Sequence, residues 1–405
     1  MKKVLIFSLA YFPKHVGGAE VAIKEITDRI SGEDIEFHMV TLRFDSTLPS
    51  VERVGNVLVH RIGFSKPNPD MGDLRHFPLH LNKFIFQFYA PLVAMKLNAK
   101  YHYDGAWAMM AHSCGVPATL FQLFSGVPYL LTLQEGDPIP YIMKKARPVY
   151  PLFVRAFRKA KIIQTISTYL AAWAKDMGYA GAVEVIPNAV NTKHFSQEFS
   201  AHELNELKKQ LGKKEGEQYV ITTSRLVPKN AVDIVIRAMK LLPDNVTFLI
   251  LGIGPDELML KQLAEEEGVL DRVKFLGQKE HSELPKYLKI SDVFTRPSRS
   301  EGMGISFVEA MAAGIPVVTT QEGGITDFLF DPDKNPDKES TGLFAKTDDA
   351  VDTARQLKRF LDDDTLRVRC VKNAYALVMS QYDWNLITKN MAEKVFAVLL
   401  ADEKK

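Results

Sequence analysis

Residues 297–318 read Pro297-Ser298-Arg299-Ser300-Glu301-Gly302-Met303-Gly304-Ile305-Ser306-Phe307-Val308-Glu309-Ala310-Met311-Ala312-Ala313-Gly314-Ile315-Pro316-Val317-Val318. A β-rich run ends at Arg296-Pro297, a loop with two glycines follows, and the spacing predicts a helix from Ile305 to Ala313. Gly314 caps that helix and Pro316 opens another strand. Gly302 and Gly304 let the backbone come close to a ligand, and the free N–H groups that begin the helix make a seat for phosphate. Glu301 stands in the loop before the helix, and Glu309 is read as lying two turns below its start. A carboxylate accepts hydrogen bonds from a pair of vicinal hydroxyls, as acidic residues do for ribose in dinucleotide sites. Two such carboxylates point to two sugars.

Strand, glycine loop and helix together form the unit of parallel sheets covered by helices, and the pattern continues in both directions. Upstream, strands are expected at Val4–Phe7, Phe37–Leu42, Val57–Ile62, Gly105–Met109, Tyr129–Leu133, Lys161–Thr165 and Ala182–Ile186. Gly17-Gly18 reads as a turn before a helix over Ala19–Ile30. A second set of strands covers Tyr219–Thr223, Val246–Leu251, Val273–Leu276, Val293–Arg296 and Pro316–Thr319, separated by helices such as Ala231–Leu241 and Asp256–Glu267. The expected fold class is α/β, with two tandem doubly wound, Rossmann-like domains: residues 1–190, then 191–380, followed by a C-terminal helix within 381–405 that packs back on the first domain. Ligands of such sheets bind at the C-terminal ends of the strands, so the natural site is the cleft between the domains.

The 405 residues are 46% hydrophobic and 25% charged, which excludes disordered, collagen-like and low-complexity chains. Cys114 and Cys370 stand far apart, so there is neither a disulfide framework nor a thiol zinc finger, and a reducing, cytoplasmic compartment fits. Lys2-Lys3 and the apolar residues up to Phe12 resemble a signal peptide, but no small-x-small cleavage site follows, and the run is read as a first buried strand. The apolar stretch Phe84–Met95 is broken by Gln87 and Pro91 and is too short to span a bilayer. The net charge of +2 hides an asymmetry of +6 in residues 1–190 against −4 in the remainder. Most of the excess lies in residues 144–161, where seven cations occur without an acid.

Glu301 and Glu309, spaced E-x7-E, resemble the signature of glycosyltransferase family 4, which comprises retaining nucleotide-sugar transferases of GT-B fold. Ser224-Arg225-Leu226-Val227-Pro228-Lys229, Leu251-Gly252-Ile253-Gly254-Pro255, Val185-Ile186-Pro187-Asn188-Ala189-Val190-Asn191 and Tyr11-Phe12-Pro13 with Gly17-Gly18-Ala19-Glu20 resemble further segments of that family, as does Gly323-Gly324 with Asp327. The resemblance implies that Glu309 holds the ribose hydroxyls and Glu301 those of the transferred sugar. It assigns the diphosphate to Arg225, Lys229 and the amides near Gly304, Ile305 and Ser306, with Gly302 and Met303 as further donor contacts. It adds Gly17, Gly18, Gly254 and Asn188 as donor contacts and His112 as a donor-contacting histidine, with Glu301, His112, Arg225 and Lys229 at the chemistry. The donor is expected to be a UDP-sugar or GDP-sugar, with no cofactor and no metal. The sequence departs from the family in having Asn230-Ala231 where Lys-Gly is common, and Gln134-Glu135-Gly136-Asp137 where His-Gly-x-Asp is usual.

Other readings of the same residues stay open. His112 beside Cys114 fits a core histidine, and Gly17-Gly18 fits a plain turn. A glycosidase pair leaves the phosphate seat unexplained. His76 and His80 are separated by Pro78, and no metalloprotease or Walker run is present. A nucleotide-sugar 2-epimerase or a non-catalytic sugar-nucleotide-binding protein would share these motifs. Residues 144–161 read as a solvated face or as a contact for an anionic membrane surface, which would place the chain on the cytoplasmic face of a membrane. No recognition module for nucleic acid accompanies the charge. Acceptor choice, between a glycan and a lipid-linked acceptor, is assigned to the loops around residues 64–83 and 134–150.

Overall fold

Val4, Leu5, Ile6 and Phe7 are four successive apolar residues, and all four are fully buried. That is the pattern of a strand inside a parallel sheet covered on both faces, where alternation disappears. The computed structural model describes residues 1–14, 17–69 and 72–401, and Arg75 by its backbone. The described chain divides into two compact units, one of Met1–Asn188 with the segment from Trp384 onward, the other of Ala189–Asp383.

The first unit carries β1 (Lys2–Phe7), β2 (Ile35–Leu42), β3 (Val51–Val54), β4 (Val57–Ile62), β5 (Gly105–Met109), β6 (Tyr129–Leu133), β7 (Ile162–Thr165) and β8 (Val183–Val185). They form one sheet in the order β3-β4-β2-β1-β5-β6-β7-β8. All neighbours are parallel except the β3–β4 hairpin. Its helices are α1 (Gly18–Arg29), α2 (Asn82–Tyr101), α3 (Val116–Ser125), α4 (Ile139–Ala146), α5 (Tyr150–Arg158) and α6 (Thr168–Asp176).

The second unit holds β9 (Gln218–Thr223), β10 (Val246–Leu251), β11 (Val273–Gly277), β12 (Val293–Arg296), β13 (Val317–Thr320) and β14 (Leu343–Ala345), parallel throughout in the order β11-β10-β9-β12-β13-β14. Around them lie α7 (Thr192–Phe195), α8 (Ala201–Gln210), α9 (Val232–Met239), α10 (Glu257–Glu266), α11 (Leu284–Lys289), α12 (Ile305–Ala312), α13 (Ala350–Asp362) and α14 (Asp364–Gln381). Its core joins Phe248, Ile250 and Val293 of the sheet to Val235, Met239 and Phe360 of the helices.

After α14 the chain returns to the first unit through α15 (Trp384–Asn390), a π-turn over Met391–Phe396, and α16 (Ala397–Leu400). The Phe396 ring meets Phe37 and Trp107 edge-on at 5.8 and 5.3 Å. Leu399 covers Gly105, where a β-carbon would come within 2.9 Å of it.

The structure corrects one reading. Pro91 does not interrupt the apolar stretch: it is buried inside the continuous helix α2. No described helix is long and apolar enough to cross a membrane. In the basic segment, Phe153 and Phe157 are buried, and their rings meet Trp173 tilted at 6.3 Å and edge-on at 5.0 Å.

Candidate functional site

In the second unit the loop after β12 begins with Arg296, which is buried although charged. Its guanidinium lies 4.4 Å from the Phe307 ring centroid, and Nη2 donates to Glu301 Oε2 at 2.7 Å. Nε donates to Ser298 Oγ at 3.2 Å. Glu301 is thereby fixed by an ion pair rather than left on a free loop, and charge-assisted bonds of this type are the stronger kind.

Two glycines are required by this geometry. Gly304 is the N-cap of α12 at φ +88°, and a β-carbon there would come within 2.4 Å of the Phe307 ring. Gly323 sits at φ +56° with its Cα so close to the Glu301 carbonyl that a β-carbon would be 1.9 Å from that oxygen. The adjacent Gly324 N–H donates to the same carbonyl at 3.2 Å. The turn after β13 therefore holds the backbone of Glu301 while Arg296 holds its side chain.

Gly302 and Met303 are buried in this loop, and Ile305 and Ser306 open α12. The Ser306 hydroxyl is shielded from water and has no partner among the described residues. Glu309 lies in the second turn of α12, nearer its start than the two turns read from the sequence. Its Oε1 is 3.3 Å from His281 Nε2, and the His281 ring stacks on His194 of α7 with centroids 5.4 Å apart and planes 19° apart.

The cations come from the loop after β9. Arg225 is exposed, and the backbone around it is pinned by Ser224 N–H to Leu251 O (3.0 Å) and Leu226 N–H to Ile253 O (3.1 Å), so Gly254 lies directly against this loop. The Ser224 hydroxyl is a second shielded oxygen without a partner among the described residues. Lys229 stands in a single turn, Pro228–Asn230, and its carbonyl accepts from Arg299 N–H at 2.7 Å. The Arg299 side chain pairs with Asp233 at 2.7 Å and with Asp348 at 2.5 Å. This bracket ties the Lys229 turn to the Glu301 loop. Glu301, Glu309, Arg225, Lys229, Gly254 and residues 302–306 thus share the C-terminal edge of one sheet.

The remaining predicted residues belong to the first unit, also beyond the C-terminal ends of strands. Gly17 is the N-cap of α1, its N–H donates to Glu20 Oε2 at 2.8 Å, and Gly18 begins the helix. Glu20 is buried, and burial raises its pKa. His112 follows Met110, a non-glycine residue at φ +67°, in a π-turn over Ala111–Gly115. Such departures from regular backbone recur at functional sites. Glu135 is fully buried beneath it: Oε1 faces the His112 N–H (3.3 Å) and Nδ1 (3.4 Å), and Oε2 accepts from Gln134 N–H at 3.0 Å. Asn188 and Gln134 exchange amide hydrogen bonds of 3.1 and 3.0 Å. Burial raises the Cys114 thiol pKa, with the charges of Glu20 and Glu135 adding to the effect. Among the described residues no group of three His, Cys, Asp or Glu side chains could hold a metal ion.

Arg296, His281, His194 and Glu135 were not among the residues singled out from the sequence. Arg296 was in view only as the end of a strand, and Glu135 only as a departure from a familial loop.

A family model for glycosyl transferases group 1 matches residues 204–377, and one for glycosyltransferase family 4 matches residues 16–194. A 2-deoxystreptamine glucosyltransferase of Streptomyces kanamyceticus is 31% identical over 275 residues, covering 65% of this chain and 67% of that protein. The chain belongs to glycosyltransferase family 4. This family-4 chain is also 28% identical over 243 residues to a GDP-mannose-dependent alpha-(1-6)-phosphatidylinositol monomannoside mannosyltransferase of Mycobacterium tuberculosis, covering 57% of its own length and 60% of the relative's. Among solved structures, sucrose-phosphate synthase from Thermosynechococcus elongatus superposes with a TM-score of 0.82 at 20% identity, over 99% of this chain and 100% of the other. Anabaena HepE in complex with UDP-glucose gives 0.75 at 22% identity, over 98% and 100%. The fold is GT-B, with two Rossmann-like parallel-sheet units.

Proposed function

We propose that this chain is a retaining transferase that moves a hexose-type sugar from a nucleoside-diphosphate sugar to a hydroxyl of a glycan, polysaccharide or lipid-linked acceptor. The observation that carries the proposal is the second unit's strand edge, where the open N–H groups of α12, the Arg296-held Glu301, Glu309, Arg225 and Lys229 stand together. Two shielded hydroxyls without partners among the described residues, Ser224 and Ser306, lie in the same loops. Leaving a buried hydroxyl unpaired costs about 1–3 kcal/mol, and a diphosphate would supply the missing acceptors.

In this reading Glu309 binds the ribose hydroxyls and Glu301 those of the sugar. The backbone of residues 302–306, with Gly254, takes the phosphates and the adjoining ribose. Gly17, Gly18, His112 and Asn188 are read as further donor contacts. The acceptor oxygen bonds to the anomeric carbon as the bond to the diphosphate breaks on the same face, and a phosphate oxygen takes the acceptor's proton, which retains configuration. Negative charge grows on the departing diphosphate, and Arg225, Lys229 and the α12 amides are preorganised to stabilise it. With that charge met by side chains and amides, the reading calls for no metal and no cofactor.

The relative from Mycobacterium is named for GDP-mannose and the Anabaena complex holds UDP-glucose, so GDP- and UDP-sugars are the donors to try first. A thermal-shift panel of UDP, GDP, ADP, CMP and their sugars tests the proposal, because a ligand at about 100 times its Kd stabilises by about 2.7 kcal/mol. One diphosphate family should raise the midpoint in the wild type and much less in Glu309→Ala. No shift with any of them would sink the donor assignment, and an altered sugar nucleotide formed without acceptor would mark an epimerase instead.

A further inference from the structure

Arg299 lies two positions before Glu301, and its side chain holds neither sugar nor phosphate in the donor site proposed above. That side chain is 28% exposed, and all three guanidinium nitrogens are engaged within the protein. Nη1 and Nη2 grip the two oxygens of Asp233 at 3.0 and 2.7 Å, the parallel fork that makes arginine–carboxylate pairs strong. Nε donates to Asp348 Oδ1 at 2.5 Å, and Nη1 also donates to the Pro228 carbonyl. A guanidinium so committed acts on a substrate only through its neighbours.

Those neighbours come from different strand ends. Asp233 lies in the first turn of α9, after β9, whereas Arg299 follows β12 and Asp348 follows β14. Asp348 has φ +58°, a left-handed backbone that aspartate tolerates better than most residues, and the Thr347 hydroxyl beside it is fixed to Glu322 at 2.7 Å. The Pro228 carbonyl and Asp233 Oδ1 share one donor nitrogen, so this acid lies against the turn Pro228–Asn230 that carries Lys229. The Arg299 backbone N–H meets the Lys229 carbonyl at 2.7 Å, a bond that a change of side chain leaves in place. The charges beside this turn are unequal, two carboxylates to one guanidinium. Carboxylates that lose their guanidinium pull on the nearest remaining cation, and the turn they border holds Lys229.

We propose that Arg299 is a positioning residue for Lys229: by taking up Asp233 and Asp348 it keeps both acids from competing with the donor's diphosphate for the Lys229 ammonium. The inference rests on the reading of Lys229 as a diphosphate ligand. It gives a task to a cation inside the most informative stretch of the sequence that the donor site itself does not use.

Calorimetric titration of the full chain with UDP and with GDP tests it. Arg299→Leu should weaken binding of the diphosphate that the wild type takes by about tenfold. Arg299→Lys, which keeps a charge without the fork, should weaken it by about threefold. Lys229→Met should cost at least about tenfold, and Arg299→Leu should add nothing to it, because a residue acting through Lys229 is silent once Lys229 is gone. Adding Asp233→Asn and Asp348→Asn to Arg299→Leu should bring the Kd back to within about twofold of wild type, since no carboxylate is left to compete. Arg272→Leu removes bonds to the Met239 and Pro243 carbonyls at the opposite end of the same sheet and should leave the Kd unchanged. Far-UV circular dichroism and the melting midpoint identify the folded variants, and Arg299→Lys takes the place of Arg299→Leu in the cycle if the latter does not fold. Wild-type affinity in folded Arg299→Leu, or losses that add in the cycle with Lys229→Met, would overturn the proposal. So would an affinity that stays low after both acids are neutralised, which would make Arg299 a scaffold residue only. A wild type that binds neither UDP nor GDP would bring down the donor reading and the proposal with it, a failure told from the others because it precedes any variant.

Discussion

Glu301 is held at both ends: its carboxylate by the Arg296 guanidinium at 2.7 Å, its carbonyl by the Gly324 N–H at 3.2 Å. Arg296 is almost wholly enclosed, so losing it removes more than a charge. Arg296→Met keeps an apolar chain over Phe307 but leaves a nearly buried carboxylate and the Ser298 hydroxyl without their donor. We expect a loss of about 3 kcal/mol in unfolding free energy by chemical denaturation, the scale for stripping one partner from a buried pair. Glu301→Gln keeps an acceptor toward Arg296, so its stability should fall by about 1 kcal/mol at most. Its sugar transfer should fall on the order of a hundredfold, the scale of one lost transition-state contact. Equal damage to folding by both variants would remove the distinction between the scaffold residue and the working one.

Gly323→Ala tests the other end of the clasp. The substitution combines a left-handed backbone with a β-carbon 1.9 Å from the Glu301 oxygen, so the turn must move and take the Glu301 loop with it. A destabilisation of about 2 kcal/mol is expected. Transfer should be lost more severely than melting temperature, measured side by side on the same preparation. A variant with wild-type turnover would show that the loop position is not critical.

These residues also show what the sequence discloses. Glu301, Glu309 and the glycines between them were legible because their spacing fixes a local unit, strand to loop to helix, whose geometry needs no distant contact. The apolar runs of both sheets were legible for the same reason. β3 and β14 were not: β3 alternates exposed with half-buried residues as an edge strand, and β14 has only three residues, too few to display a period. Arg296 looked like any cation at a strand end, because only the packing of Phe307 across it reveals that it is buried. His281 reaches Glu309 across 28 positions and Glu135 reaches His112 across 23, and no local pattern records such distances. Pro91 was misread because burial of the proline within α2 is a tertiary fact.

His281 gives a prediction of that kind. Its ring is exposed, is stacked on His194 and ends at Glu309. Removing it by His281→Ala frees the carboxylate and takes away an exposed ring that meets the buried Phe195 edge-on at 5.2 Å. Stability should change by less than about 1 kcal/mol. The Kd for the nucleoside diphosphate, measured by calorimetry, should shift by about threefold to tenfold, since one modest hydrogen bond at the carboxylate proposed to hold the ribose is altered. An unchanged Kd would mean that His281 has no part in donor recognition.

Glu135 and His112 can be separated by conservative replacement. Glu135→Leu leaves the His112 N–H and ring without their acceptor, and should cost about 2 kcal/mol of stability and at least about tenfold in transfer. Glu135→Gln retains a carbonyl oxygen and should restore most of the stability. If it also restores transfer, Glu135 serves as a positioning residue for His112. If transfer remains low while folding is normal, the buried charge itself matters to the reaction.

Acid should weaken the first unit through a histidine pair remote from these loops. His38 on β2 and His60 on β4 lie with ring centroids 5.9 Å apart, and His38 Nδ1 is 2.8 Å from the Tyr103 hydroxyl. Burial pushes the pKa of both below the usual histidine value, that of His60 to about 4. The unfolded chain therefore takes up protons as pH falls below about 6.5, whereas His60 in the folded protein does not until about 4, so stability drops across that window. The His60 contribution is on the order of 2 kcal/mol lost by pH 5 relative to pH 7. Urea denaturation at the two pH values measures it, and His60→Leu should make the difference smaller by a similar amount. A fall of the same size in wild type and variant would assign the acid sensitivity to other groups.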